Sequence, residues 1–198
     1  MQNSKLQNID IVIPTRNRGA LIEAALVSVR NSTYAAFTLW IVDQSDDDAT
    51  EQTVRAQMAE DPRIRYLRSK SRGANFARNE GVAQGNAALI AFIDDDCRVD
   101  AAWLAQLVAE LQQPGVWAVF GRVLPDDATA MAPVAGEQRV SRAIPMALKD
   151  APERRIYERN RFDLSFGHGA NMGWQRAAFR HVGGFDGLIG AGGPLGTW

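Results

Sequence analysis

The sequence holds one cysteine, Cys97, so it cannot form an internal disulfide. That fits a reducing compartment. It has no run of about 18 apolar residues, the length a transmembrane helix needs. The N-terminus, MQNSKLQNID, lacks the basic-then-apolar build of a signal peptide. An excess of one charge is also missing. With 22 Lys+Arg against 23 Asp+Glu the net charge is −1, which excludes a supercharged nucleic-acid binder and a disordered acidic chain. Lysine is scarce: Lys5, Lys70 and Lys149 stand beside 19 arginines. Genome composition explains that bias, and so does phosphate recognition by paired guanidinium donors. His168 and His181 are too few and too far apart for a histidine-built metal site. No G-x-G-x-x-G follows the first strand and there is no P-loop, which disfavours a dinucleotide or Walker-type site. Ser28, Ser45 and Ser165 lack the G-x-S-x-G setting of an α/β-hydrolase.

What is present is one ordinary globular domain's worth of chain. Its 198 residues are 46% hydrophobic and 23% charged, and a chain of this size buries roughly 70% of its unfolded surface. Residues 9–13, Ile-Asp-Ile-Val-Ile, form a β-branched run closed by Pro14 and read as a buried strand. Leu21, Ile22, Ala25, Leu26 and Val29 recur at helical spacing over 18–30. A second strand is expected over 38–43, a helix over 50–59, a third strand over 64–67 and a helix over 75–84. Residues 88–93 are the most apolar strand. Asp100 reads as the N-cap of a helix with Trp103, Leu104, Leu107, Val108 and Leu111 on one face, stopped by Pro114-Gly115. Val116–Leu124 reads as a further strand. Residues 125–165 carry four of the eight prolines and read as a long insertion, after which the chain becomes glycine-rich. Alternating strands and helices predict an α/β fold with a mostly parallel sheet.

In such sheets ligands sit outside the carboxyl ends of the strands. Three polar clusters fall there: Thr15-Arg16-Asn17-Arg18, Asp43, and Asp94-Asp95-Asp96. Three adjacent carboxylates repel, so a cation, arginines or backbone N–H groups must offset them. In an extended segment Asp94 and Asp96 point to one side and Asp95 to the other. Two carboxylates on one side suit a hard divalent ion such as Mg²⁺ or Mn²⁺. A solvated turn capping the next helix fits the same spacing equally well. Asp46-Asp47-Asp48 lacks an apolar lead, and reads as acids favoured by the dipole of the following helix. Gly190-Ala191-Gly192-Gly193 reads as a loop, with a phosphate nest as the alternative. Cys97 reads as a small packing residue, and His181 as a surface residue near a helix end.

Taken together, five segments in order resemble glycosyltransferase family 2, nucleotide-sugar transferases of GT-A fold. They are Ile11–Arg18, Ile41–Thr50, the Asn75–Gly81 segment with its Ala-Arg-Asn, Leu89–Asp96 ending in a D-x-D, and Gly169–Met172 through Val182–Asp186. The resemblance implies a GT-A, Rossmann-like, mostly parallel sheet flanked by helices. It implies a single domain over 1–198, with about 1–124 binding the nucleotide and about 125–198 variable and acceptor-facing. It places Thr15 and Asp43 at the base and ribose, and Arg78 at the nucleotide. Arg18 and Asp95 are assigned to the same nucleotide site. Asp96 is the implied metal ligand, with Asp94 beside it and nearer the ribose. Mn²⁺ or Mg²⁺ would neutralise the departing diphosphate.

One departure stands out. Family members continue past Gly-Gly-Phe-Asp into a Glu-Asp pair that supplies the catalytic base, and here the chain reaches Gly196-Thr197-Trp198 where that pair is expected. The base is therefore expected beyond Trp198, and Asp186 is only a weak substitute. The expected activity is inverting, metal-assisted transfer from a UDP-, GDP- or dTDP-sugar to a hydroxyl of a glycan or lipid-linked acceptor. The expected place is the cytoplasm, at the membrane surface where the acceptor is lipid-linked, with cell-surface polysaccharide synthesis as the setting. The alternative is a non-catalytic nucleotide-sugar-binding fragment or inactive relative. A metal-dependent nucleotidyltransferase is disfavoured, because no glycine-rich, lysine-containing loop follows the first strand. No nucleic-acid partner is expected.

Overall fold

The computed structural model describes residues 6–125, 149–158 and 167–195. Its centre is β1 (Ile9–Thr15), buried at all seven positions. A strand buried on both faces must be flanked by strands and covered by helices. β1 pairs in parallel with β2 (Phe37–Asp43) on one side and β4 (Leu89–Ile93) on the other. β3 (Ile64–Arg68) extends the sheet beyond β2 in parallel. The order of the six strands is β3-β2-β1-β4-β6-β5, where β5 is Ala118–Phe120 and β6 is Asn171–Gln175.

The period-2 alternation of each strand decides which helices it meets. Ile9, Ile11 and Ile13 face α1 (Gly19–Arg30), α2 (Ala49–Glu60) and α4 (Trp103–Leu111). They pack in one core with Ile22, Leu26, Val54, Leu104 and Leu107. Val12, Val42, Ile90 and Phe92 face the other way, toward Ala77 and Val82 of α3 (Ala74–Gln84) and Phe179 of α5 (Arg176–His181). The strand order reverses direction at β1: β2 lies on one side and β4 on the other. That leaves a crevice outside the carboxyl ends of β1 and β4.

Three expectations are corrected. Asp100 is not the residue that opens α4. Its carboxylate accepts from the Ala102 amide at 2.8 Å and its carbonyl from the Trp103 amide at 2.9 Å, so it caps the turn that leads into the helix. The strand expected over 116–124 is regular only at Ala118–Phe120, because it is an outer strand paired on one side, with β6. β6 itself was not expected. Its sequence, Asn-Met-Gly-Trp-Gln, has a glycine at its centre and only Met172 and Trp174 to alternate as a strand's apolar face would. Gly173 is there because a Cβ would come within 2.7 Å of Leu107 on α4. The insertion expected over 125–165 falls largely outside the described residues. Among the described residues, no helix is long and apolar enough to cross a membrane.

β6 runs antiparallel between β4 and β5, so the late part of the chain is hydrogen-bonded into the same sheet as the early part. A buried ion pair joins them at the opposite end of the sheet from the crevice. Arg176 donates to Asp10 Oδ2 at 2.6 Å, to the Val82 carbonyl at 2.7 Å and to the Ala87 carbonyl. The Ala87 amide donates to the same Asp10 oxygen at 2.8 Å. Both side chains are nearly inaccessible, and burial lowers the Arg176 pKa. Removing one member of a buried pair leaves the other uncompensated, at a cost of about 3–5 kcal/mol. Asp10→Ala is therefore expected to lower the unfolding free energy from denaturant titration by that amount, seen as a lower midpoint with an unchanged slope.

Candidate functional site

The site is built where β1 and β4 end. β4 stops at Ile93 and the chain turns, with the Cys97 amide donating to the Asp94 carbonyl at 3.2 Å. Within that turn Asp95 is buried, while the Asp94 and Asp96 side chains are 35% and 53% accessible. The expected pairing of Asp94 with Asp96 on one side is not what the turn gives: it is Asp95 and Asp96 that share a partner. Asp95 accepts from Thr15 Oγ1 at 2.7 Å and from Arg18 at 3.1 Å. The same Arg18 nitrogen donates to Asp96 at 2.8 Å. Asp94 faces the other way, toward Arg78 on α3, which donates to it at 2.7 Å. Two guanidiniums therefore flank three carboxylates. Burial pushes the Asp95 pKa up, against the Thr15 hydrogen bond and Arg18. Asp95 in turn raises the Arg18 pKa.

Six of the expected residues thus form two hydrogen-bonded groups side by side on the acidic turn, Thr15, Arg18, Asp95 and Asp96 in one and Arg78 with Asp94 in the other. Asp43 is in neither. Its carboxylate is wholly buried, accepts from the Ser45 amide at 2.8 Å, and accepts from Tyr66 Oη at 2.8 Å. Arg68 lies 3.7 Å from it. One oxygen is engaged within the turn after β2 and the other on the side of β3, so Asp43 shares no side-chain hydrogen bond with the residues at the ends of β1 and β4. Burial, with the nearby Asp43, pushes the Tyr66 pKa upward. Asp186 also turns away, its carboxylate accepting from the amide of Leu188 at 2.9 Å.

Several residues to which the sequence assigned no individual role hold the crevice together. Asn17 sits at φ 56°, a left-handed conformation that asparagine tolerates. Its amide side chain donates to Asp46 and accepts from the Asp46 backbone, both at 2.9 Å, while its own N–H donates to Ser45 Oγ. Arg16 and Arg72 also reach Asp46. Its pKa is held down, first by the Asn17 hydrogen bond. The second acidic run is thus partly a junction between loops and partly the start of α2, where Asp48 is the N-cap residue and the Asp47 carboxylate accepts from the Ala49 amide at 3.1 Å. The phosphate-nest alternative for Gly190–Gly193 finds no support. The first amide of α3, at Ala74, donates to the Ala191 carbonyl at 2.9 Å. His181 is exposed at the end of α5 as expected, edge-on to Trp117.

Among the described residues no group of three or more His, Cys, Asp or Glu side chains gathers as a ready metal cage. Asp94 and Asp96 offer oxygen donors only, and Asp96 is open to solvent. That donor set fits a hard divalent ion that keeps water and takes further ligands from phosphate oxygens.

The family described as glycosyl transferase family 2 matches residues 10–183, and the chain belongs to it. The chain is 27% identical over 121 residues to the GalNAc(5)-diNAcBac-PP-undecaprenol beta-1,3-glucosyltransferase of Campylobacter jejuni, covering 60% of this chain and 39% of that one. It is 30% identical over 123 residues to glycosyltransferase AglE of Haloferax volcanii, covering 61% of this chain and 40% of the relative. The chain thus spans about two fifths of these relatives' length. Among solved structures, mannosyltransferase PcManGT from Pyrobaculum calidifontis, in complex with GDP-Man and Mn2+, superposes with a TM-score of 0.69 at 20% identity. That match covers 96% of this chain and 50% of the other. S. aureus TarS 1-349 in complex with UDP-GlcNAc gives a TM-score of 0.63 at 16% identity, covering 88% and 47%. The fold is the GT-A α/β arrangement.

Cys97 sits beside this site. Burial, with Asp94 and Asp96 adding to it, pushes its thiol up to about 12. The thiolate is the reactive form. Alkylation at pH 8 is therefore expected to be at least about a hundredfold slower in the folded chain than in urea. Mass spectrometry of the time course measures the ratio.

Proposed function

We propose that this chain is the donor-binding part of a glycosyltransferase that moves a sugar from a nucleoside-diphosphate sugar to an acceptor hydroxyl, with inversion. The observation that carries this reading is the joining of the β1 and β4 ends by Thr15, Arg18 and Asp95, with Arg78 closing on Asp94. In this reading Thr15, Arg18, Arg78, Asp94 and Asp95 form the nucleotide site. Asp43 supports it from behind by holding the turn after β2. Asp96 and Asp94 hold Mn²⁺ or Mg²⁺, which when bound supplies neutralisation of the leaving diphosphate. Arg18 and Arg78 keep further positive charge beside the position where that leaving charge develops. The donor is a UDP-, GDP- or dTDP-sugar; the neighbours solved with GDP-Man and with UDP-GlcNAc support that class.

The acceptor is a glycan or a lipid-linked glycan met in the cytoplasm at the membrane surface. The relative named for a PP-undecaprenol-linked acceptor supports the lipid-linked form. A second reading, donor binding without turnover by this stretch of chain, is favoured by one observation: the Asp186 carboxylate is spent on its own loop. The acceptor's proton then goes to a base supplied elsewhere. General-base catalysis contributes typically 10²–10⁴-fold, so that distinction is measurable as turnover.

Calorimetric titration of UDP, GDP and dTDP, each with and without Mn²⁺, tests the donor site. Metal-dependent binding of one of them is expected. Asp96→Asn should weaken that binding by at least about tenfold, one bidentate or charged contact's worth, and abolish its dependence on metal, while the far-ultraviolet spectrum stays unchanged. Unchanged metal-dependent binding by Asp96→Asn would remove Asp96 from the metal site.

A further inference from the structure

The segment that follows α5 has little regular structure, and Gly183, Gly184, Gly190 and Gly192 in it have φ between 72° and 93°. Its course is set by α3. Asn79 exchanges two hydrogen bonds with the backbone of Phe185: its Nδ2 donates to the carbonyl at 2.8 Å, and its Oδ1 accepts from the amide at 3.0 Å. One helical turn earlier, Asn75 Nδ2 donates to the carbonyls of Asp186 and Ile189, both at 3.0 Å. The glycines let the backbone lie flush on the helix. A Cβ at Gly184 would come within 2.9 Å of Asn79 Oδ1, one at Gly190 within 3.0 Å of Asn75 Nδ2, and one at Gly187 would run into the Phe76 ring.

Between the two asparagines stands Arg78. One of its terminal nitrogens donates to Asn75 Oδ1 at 3.0 Å and the other to Asp94 at 2.7 Å. Its Nε is buried with no hydrogen-bond partner among the described residues, so those two bonds alone fix the guanidinium by hydrogen bonding. The Phe185 ring lies 5.8 Å from it and packs edge-on against Phe92 of β4. Asp94 and the segment 185–189 are therefore joined through two side chains of one helix.

We propose that Asn75 and Asn79 are positioning residues that hold segment 185–191 as a wall of the site, and that the Asn75–Arg78–Asp94 chain couples this wall to whatever occupies the acidic turn. The proposal rests on the nucleotide-sugar reading for the identity of that occupant. Neither asparagine touches the turn itself. The wall lies on the α3 side of the crevice and is reached from the acidic turn through Arg78 and Asn75.

Hydrogen–deuterium exchange on the wild-type chain, Asn79→Ala, Asn75→Ala and Asn75→Asp tests this. Amides 185–191 are expected to exchange at least about tenfold faster in all three variants, while the strands keep wild-type protection. UDP or GDP with Mn²⁺, whichever the wild type binds, should change protection over 185–191 in the wild type. Asn79→Ala, which leaves the contacts of Arg78 in place, should bind that nucleotide within about threefold of the wild type, and all three variants should lose the change in protection. Asn75→Asp keeps an acceptor for Arg78 and loses the donor to the loop, so it separates the two halves of the chain. Faster exchange throughout the domain, unchanged exchange over 185–191, or a ligand response that persists in the variants would overturn the proposal. A wild type that binds no nucleotide overturns the functional reading and the coupling with it; binding with an undiminished loop response in the variants overturns the coupling alone.

Discussion

Three carboxylates in succession at the end of a fully buried strand impose the constraint around which the carboxyl edge of this sheet is organised. Two unit charges about 4 Å apart repel by roughly 4 kcal/mol in the effective dielectric near a protein surface. The chain meets that cost from two directions. Arg18, just after β1, spans Asp95 and Asp96, and Arg78, on α3, takes Asp94. Thr15 adds the hydroxyl that lets Asp95 be buried at all. β1, β4 and α3 must each end or begin in register for this to work, so the charge compensation and the packing of the sheet are one arrangement. The guanidiniums stand beside carboxylates where the proposed reaction needs positive charge beside phosphates.

The loops around the crevice repeat one device. An asparagine amide both donates to and accepts from a distant segment: Asn17 with the carboxylate and the backbone amide of Asp46, and Asn79 with the backbone carbonyl and amide of Phe185. An amide side chain carries a donor and an acceptor about as far apart as those of a peptide unit, so it pairs with backbone much as a strand would. Loops that lack regular structure thereby satisfy their buried polar groups. The glycines near these contacts admit the close approach rather than supply flexibility.

Much of the fold was legible because the two strands at the sheet centre are almost wholly apolar. Ile9–Ile13 and Leu89–Ile93 are buried on both faces, which only a parallel sheet covered by two helical layers produces. The helices α1 and α4 were legible from their 3.6-residue stripes. β6 was not, since Asn-Met-Gly-Trp-Gln has no apolar run and alternates over only two apolar residues, Met172 and Trp174, about a glycine that answers to Leu107, 66 positions earlier in the chain. The acidic turn was legible as a site because a polar triplet after an apolar strand has no structural cause within the strand. Asp43 looked equivalent, and differs only because Tyr66 and Arg68 on β3 take its carboxylate from the far side.

By itself, then, the sequence determined the class of fold, the identity of the strands at the sheet centre, and the gathering of Thr15, Arg18 and the Asp94–Asp96 triplet at strand ends. Those follow from periodicity, which is local. Only the tertiary structure decided which carboxylate is buried, which guanidinium meets which acid, and how Asn75 and Asn79 hold a segment more than a hundred residues away. Those depend on pairings across the sheet between residues whose separation in the chain carries no pattern.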